Sequence, residues 1–564
     1  MTSEKRHEKA RGRLAGLATA AIGASILLTI TIGLLGPSPM VPALTGPTWQ
    51  PPYSLDVHPN PYLVIAFAAA AIILGGLGLL TALTLTRPPK PPHPSTHNTP
   101  PPTSPEHTTS PQPTPTQPDT PPPPAPEAAG IRIAGALPTK RGALSSKPWT
   151  LPSARLLVLI GCTAAAILAF LPPSGSGDHL NYAAYGRMVT LGLSPYTHGA
   201  VDLPGDPIAD AVEEPWREEP SVYGPVATAV QAMASWIGGD SLRLTIFVLA
   251  LFNAAAFIAT GLLIDRFTRD DPTRRLRAAL LWTANPLLLY QLVAGMHVDT
   301  LAIACMVAAL LARSRPTGSG VLLGLGVAIK VNAGLVALGP AWELRRRPAR
   351  LALMAACALA VVVIGYALVG PEAIAPMTRT SKSISHASFW KLVQGWLQSI
   401  VGTGSAYRGE IQIGSLLVLA LLAWSLLRLA SRSRHPGPPR TPTPSNEAPV
   451  VAAGLMVAYV FATPYILPWY DGLALGLLAL VAASAVDGFV VAHLLVLSLA
   501  YLPARVEGQP EDLDWLREVV RPQLAWALLA LAVALVVWAW RTASREHLPS
   551  ASVQRGELET STDR

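Results

Sequence analysis

The chain has 564 residues, of which 50% are hydrophobic and only 13% charged, where a soluble domain carries about 25% charged residues. Its mean hydropathy is +0.38, and long apolar runs separate the charges, which excludes an ordinary soluble protein and predicts an all-α polytopic membrane protein. The formal charge of +8 does not imply nucleic acid as a partner, because the basic residues sit at the ends of the apolar runs, as the positive-inside rule expects.

The first element is a basic head, Lys5-Arg6-His7-Glu8-Lys9, leading into an apolar run that ends near Leu35. That run is longer than the apolar region of a signal peptide, so it predicts a retained helix with a cytoplasmic N-terminus. A second span, about 62–85, returns the chain inward, and residues 1–86 form a two-helix membrane segment. Residues 87–153 form a Pro-rich cytoplasmic linker; 18 of the 56 prolines lie between Arg87 and Pro126. This composition favours extended, solvated chain and cannot bury a core. It could serve as a ligand for a proline-reading domain or as a plain spacer.

Residues 154–541 are predicted to form the main transmembrane domain. Its first span, 154–171, runs outward and opens a polar outer loop, 173–222. Residues 222–237 are apolar but short, and predict a helix in or near the interface. Full or short spans follow at 242–264, 278–293 and 299–312. Residues 321–338 pose a parity problem, because Arg345-Arg346-Arg347 must lie inside. A re-entrant hairpin broken around Lys330 to Gly334 resolves it, since non-helical backbone is tolerated at membrane depth where it lines a cavity. Further spans are expected at 351–369, 416–429, 450–466, 473–485, 489–502 and 524–540, giving about twelve crossings. Residues 507–518 read as an outer acidic loop, and 542–564 as a cytoplasmic polar tail. The three cysteines lie in apolar runs with neither disulfide nor metal-ligand spacing.

The outer loop concentrates the chemistry. Asp178 follows a span by a few residues, in a Ser-Gly-Ser-Gly turn that lets backbone approach a ligand. A carboxylate there can act as general base on a hydroxyl, or can be an ordinary exposed aspartate. If the segment is helical, Asp178, Tyr182 and Tyr185 share a face. Those tyrosines suit sugar stacking and equally suit a membrane interface. His179 and Arg187 accompany them, and Tyr223 lies in a Tyr-Gly-Pro turn. Deeper in the chain, Asn285-Pro286 sits inside an expected span and His297-Val298-Asp299 at its outer turn. Ionisable groups at such depth are functional by default, with a satisfied interhelical pair as the alternative. Lys330 in the broken hairpin needs a partner, and a lipid phosphate would serve. Arg379, Lys382, His386 and Lys391 make the outer loop 370–413 basic, against the usual charge bias. Trp469-Tyr470-Asp471 again sets aromatics beside a carboxylate. No P-loop, dinucleotide fingerprint or zinc signature is present.

Taken in order, Asp178-His179-Leu180-Asn181-Tyr182 through Arg187, Ser194-Pro195-Tyr196, Tyr223-Gly224-Pro225, Asn285-Pro286-Leu287, His297-Val298-Asp299, the run ending at Lys330 and Pro468-Trp469-Tyr470 resemble the GT-C class of membrane glycosyltransferases. More closely they resemble the actinobacterial polyprenyl-phosphomannose-dependent α-(1→6)-mannosyltransferases of lipomannan biosynthesis. The resemblance runs from about 154 to 470. It implies a GT-C-like fold in the cell membrane with an extracytoplasmic active site. It implies a polyprenyl-phosphate-mannose donor, a lipid-anchored mannan acceptor and Asp178 as the base. His179, Tyr182, Tyr185, Arg187, Tyr223, His297, Asp299, Lys330, Arg379, Lys382, His386, Trp469 and Tyr470 would bind the substrates. Many members of the wider class carry a second acidic residue where this chain has His179, so a divalent cation stays open and no other cofactor is expected. The alternatives are a GT-C enzyme using another polyprenyl-phosphate sugar, or a flippase of lipid-linked saccharides. The latter predicts duplicated halves, and no convincing repeat is visible.

Overall fold

A computed structural model describes residues 3–87, 150–432, 447–505 and 507–545. The Pro-rich stretch 88–149, residues 433–446 and the tail from 546 onward lie outside the described residues. The described residues are helical, with no named strand. Six helices are long and apolar enough to cross a membrane: Arg6–Leu35, Pro61–Leu85, Leu242–Thr268, Pro348–Val369, Arg408–Ser431 and Glu511–Ser544. Shorter apolar helices occupy Ala154–Ala169, Asp299–Leu311, Pro316–Ile329, Glu447–Ala462 and Val486–Tyr501.

Local sequence explains where the helices start. Asn60 caps the helix that begins with Pro61, accepting from the Tyr62 N–H, and Ser153 caps the next through the Leu156 N–H. Pro is tolerated there because its missing N–H has no intrahelical partner at that position. The Pro348–Val369 helix is apolar all round, and Met354 is its one buried residue; such a helix belongs against lipid. Gly320 and Gly324 bring the Pro316–Ile329 helix onto it at backbone distance. A Cβ at these positions would lie 2.3 Å from the Met354 carbonyl oxygen and 2.6 Å from that of Ala358. This is the small-residue packing that membrane helices use in place of a hydrophobic driving force.

Two expected spans are not continuous helices, and the segment 321–338 breaks at Lys330, where the expected hairpin breaks. The stretch 278–293 breaks after Leu281, and Asn285 restarts it by accepting from the Leu287 and Leu288 N–H groups, with Pro286 at the first helical position. Gly161 faces this break; a Cβ there would lie 1.9 Å from the Thr283 carbonyl oxygen. The helix expected over 473–485 covers only Asp471–Leu478. The third break is at Lys330, where extended backbone (φ −148°, ψ 121°) ends the Pro316–Ile329 helix. A 3₁₀ stretch, Val331–Ala337, and a short helix, Leu338–Glu343, follow. Glu343 Oε1 comes within 3.5 Å of Arg313 Nε, so the two ends of this broken segment meet.

Polar contacts gather at two ends of the bundle. At one end Arg277 is buried against Asp487, its NH2 2.6 Å from Oδ1, and also donates to the Leu478 and Val481 carbonyls. Arg87 donates to the Ser484 carbonyl nearby. At the other end Tyr62 donates to Asp512, Arg243 to the Pro52 carbonyl, and Arg505 pairs with Glu213 and donates to the Ser38 carbonyl.

Removing one member of a buried ion pair leaves an uncompensated charge, at a cost of about 3–5 kcal/mol. Asp487→Ala should therefore lower the thermal unfolding midpoint of the purified protein sharply. The double replacement Arg277→Met with Asp487→Leu should recover most of the loss. A single variant as stable as the parent would show that the pair contributes nothing.

Candidate active site

The site begins at the turn after the Ala154–Ala169 helix. Ser174 donates its N–H to the Ala294 carbonyl and Gly175 to the Met40 carbonyl, each at 2.8 Å. Gly175 has φ +79°, a conformation glycine adopts without strain. Asp178 then opens the helix Asp178–Thr190, its N–H donating to Ser176 Oγ at 3.2 Å. A carboxylate in the first turn also suits the helix dipole.

The predicted shared face forms. Tyr182 lies one turn beyond Asp178, its hydroxyl 3.4 Å from Asp178 Oδ2 and 3.1 Å from the Tyr223 hydroxyl. The two tyrosine rings meet edge to face at 5.1 Å. Tyr185 donates to the Glu219 carbonyl and ties the outer segment back onto its helix. Tyr223 is held by its neighbour: the Gly224 N–H donates to the Ile329 carbonyl at 3.0 Å, and a Cβ on Gly224 would lie 2.3 Å from the Ala328 carbonyl oxygen. The outer segment and the break at Lys330 therefore touch through backbone.

His297 is the second wall. A π-helical turn, Leu289–Ala294, and Met296 at φ +54° precede it. Positive φ at a non-glycine residue carries strain, which collects at functional sites. The His297 carbonyl accepts from Asn253 Nδ2 at 2.7 Å and from Thr300 Oγ1 at 2.9 Å. Its ring stacks on Trp469 with centroids 3.5 Å apart and planes 13° from parallel. Its Nδ1 stands 3.4 Å from Asp178 Oδ2, a charge contact longer than an ordinary hydrogen bond. Trp469 in turn meets Tyr501 edge to face.

Lys330 and Asp299 close the floor. Lys330 Nζ lies 2.5 Å from Asp299 Oδ1, 4.0 Å from the centre of the Tyr470 ring and 6.0 Å from that of Tyr223. Asp299 is fully buried, and its Oδ2 has no hydrogen-bond partner among the described residues.

Asp178 is 23% exposed and lines a cavity of about 580 Å³ with Tyr182, Tyr185, Tyr223, Lys330, Trp469 and Tyr470. Burial pushes its carboxyl up, but the contact with His297, the Ser176 hydrogen bond and the Lys330 charge outweigh that and hold it below the usual range. A carboxylate held ionised at the wall of a cavity can accept a proton. His179, beside it in sequence, is fully buried, and burial followed by the Arg505 charge pushes its imidazole down to about 3. It is a neutral ring with neither nitrogen partnered among the described residues.

The other sequence candidates divide. Arg379 and His386 line the cavity. Lys382 is exposed and does not. Arg187 turns away, with Nε 2.7 Å from Asp206 and NH2 2.7 Å from Asp240. The structure adds Tyr465, Tyr501, Arg505, Arg517 and Arg521 to the cavity wall. The two last arginines had a signal: they are four residues apart, hence on one helix face. Among the described residues no three His, Cys, Asp or Glu side chains converge as a metal-ligand set.

A family profile described as alpha-(1->6)-mannopyranosyltransferase, N-terminal domain, matches residues 139–346. The chain is 29% identical over 170 residues to alpha-(1->6)-mannopyranosyltransferase A of Corynebacterium glutamicum, covering 30% of this chain and 34% of that protein. It is 27% identical over 196 residues to alpha-(1->6)-mannopyranosyltransferase B of the same organism, covering 34% and 30%. It is 25% identical over 322 residues to alpha-(1->6)-mannopyranosyltransferase A of Mycobacterium tuberculosis, covering 53% and 60%. The chain thus spans from about a third to three fifths of the length of these relatives. No solved structure matches. The matched region carries Asp178, Tyr182, Tyr223, His297, Asp299 and Lys330, and the family that the sequence motifs resemble is the family these comparisons return.

Proposed function

We propose that this chain is a membrane glycosyltransferase that moves mannose from polyprenyl-phosphate-mannose to a lipid-anchored mannan acceptor, forming α-(1→6) linkages with inversion. The observation that carries the reading is the ionised Asp178 carboxylate, backed by His297 and Tyr182, on the wall of an aromatic cavity. Asp178 takes the proton of the acceptor 6-hydroxyl as that oxygen bonds to the anomeric carbon. The bond from that carbon to the phosphate oxygen breaks, and its electron pair leaves with the lipid phosphate. One displacement turns a β-linked donor into an α-linked product. It needs one base and a stabilised leaving group, not the carboxylate pair of a retaining hydrolase. Tyr182, Tyr185, Tyr223, Trp469 and Tyr470 offer rings for sugar packing, and His297 orients the base. His179, Asp299, Lys330, Arg379 and His386 complete the surroundings; Arg187, held by Asp206 and Asp240, and Lys382 stand outside the cavity.

The same reading assigns a membrane topology. The N-terminus, the linker 87–153, the basic cluster at 345–350 and the tail from 542 lie in the cytoplasm. The loop 173–222, Arg379 and Asp512 lie outside. The contacts of Arg87, Arg277 and Asp487 at one end, and of Tyr62, Arg243 and Arg505 at the other, support that division. About twelve crossings result, with 316–343 as a re-entrant hairpin. The Arg313–Glu343 contact supports the hairpin, since it brings entry and exit together.

Replacing Asp178 with Asn removes the base while keeping the side chain's shape. Transfer of labelled mannose from polyprenyl-phosphomannose in membranes should fall by about 10²–10⁴-fold, with the amount of folded protein unchanged. Turnover at the parent rate would sink the assignment. The lowered Asp178 carboxyl also sets the acid side of the pH profile, because a base is lost only when it is protonated. The kcat/KM should hold steady down to about pH 5 and fall below that. A fall centred near neutral pH would mean that a different group is the base.

A further inference from the structure

The cations lining the cavity are not equivalent. Lys330 is neutralised by Asp299 at 2.5 Å, and its ammonium is packed on Tyr470. Arg505 is consumed by Glu213 and the Ser38 carbonyl. Arg517 holds Asp514 through NH2. Arg521 differs. Its Nε donates to the Ala500 carbonyl at 2.8 Å, which fixes the guanidinium, while its two terminal nitrogens have no hydrogen-bond or ion-pair partner among the described residues. Guanidinium ends left free and pre-aimed match the geometry of a phosphate.

Arg521 is also placed for this role. It opens the last helix, Arg521–Arg545, at the end of the bundle that carries Arg505 and Asp512. In the topology above this is the outer face, where the charge bias of membrane proteins gives no reason for an arginine. It stands on the wall between two cavities. One is the cavity of Asp178; the other, of about 490 Å³, is lined by Lys391, Asp514, Glu518 and Pro522 and shares His386, Arg517 and Arg521 with the first. Asp178, Tyr501 and Arg521 all line the first cavity, so base and guanidinium border one space.

A hydrocarbon chain also has a way out beside Arg521. Lys391 belongs to the helix Trp390–Ile400, and that helix and the last one meet at an aromatic pair, Trp396 with Trp526, centroids 5.5 Å apart. These rings are 41% and 48% exposed. Half-exposed tryptophans at such a place suit the boundary between headgroups and acyl chains.

We propose that Arg521, with Arg379 and His386 across the cavity, seats the phosphate of a polyprenyl phosphate, while its prenyl chain leaves past Trp396 and Trp526. Lys330 then acts differently, holding Asp299 and the Tyr470 ring in place. This rests on the polyprenyl-phosphate reading above and names the residues that would recognise the leaving group.

Purified protein in detergent micelles is titrated with farnesyl phosphate as the probe, followed by tryptophan fluorescence, with farnesol and inorganic phosphate as separate arms. The parent should bind farnesyl phosphate, farnesol should not compete, and inorganic phosphate should compete weakly. Arg521→Gln should weaken binding by about tenfold or more, and Arg521→Lys should recover part of it. In transfer assays Arg521→Gln should raise the KM for polyprenyl-phosphomannose. Parent protein that binds no farnesyl phosphate, or an Arg521→Gln variant that binds it as tightly as the parent, overturns the proposal. Arg521-dependent binding by a parent that transfers no mannose would keep the phosphate seat and reject mannosyl transfer.

Discussion

The ion pair between Lys330 and Asp299 is the constraint on which the rest of the site depends. Each charge alone would be expensive inside an apolar bundle, and together they are tolerable only at close range. Their pairing explains why the Pro316–Ile329 helix stops at Lys330: extended backbone there aims the side chain at the start of the Asp299–Leu311 helix. It also explains the aromatic packing, because the ammonium lies over Tyr470 and near Tyr223. Tyr223 then meets Tyr182, and Tyr182 meets Asp178. A continuous set of contacts thus runs from the pair to the carboxylate at the cavity wall, through side chains from four separate segments.

A second consequence concerns rigidity. Glycines let backbone replace side chains where segments cross: Gly161 against the break at Thr283, and Gly224 against Ala328. Such contacts help fix Asp178 against His297, as the proposed roles of base and orienting partner require. The strained Met296 and the doubly accepted His297 carbonyl serve the same end. The mouth of the cavity is built differently. There Arg379, on the short helix Ile374–Thr380, and His386, in the turn that follows, are exposed side chains.

Much of this was legible in the sequence, for physical reasons that can be named. Hydropathy and basic clusters located the helices, and the parity of the basic clusters pointed to a break near Lys330, where the helix ends. The spacing of Asp178, Tyr182 and Tyr185 predicted a shared helix face, and the helix forms there. Three things were not legible. The break at Leu281 to Asn285 was overlooked because the flanking residues are apolar enough to read as one span, although Asn285-Pro286 is itself a cap-and-proline start signal. The partner of Lys330 was open, since no local pattern links positions 299 and 330. Arg517 and Arg521 were masked by the acidic residues around them, and Arg187, which looked like part of the site, is satisfied by Asp206 and Asp240 that only folding brings near.

The central claim is that Asp178 activates a sugar hydroxyl for a single displacement on a lipid-linked donor. Its most direct test is the product. Membranes bearing this protein would be supplied with β-linked polyprenyl-phosphomannose and a short mannoside, and the new glycosidic bond assigned by NMR. The account predicts one added mannose, joined through the 6-hydroxyl in the α configuration. A β-linked product, or a different linkage position, would contradict it.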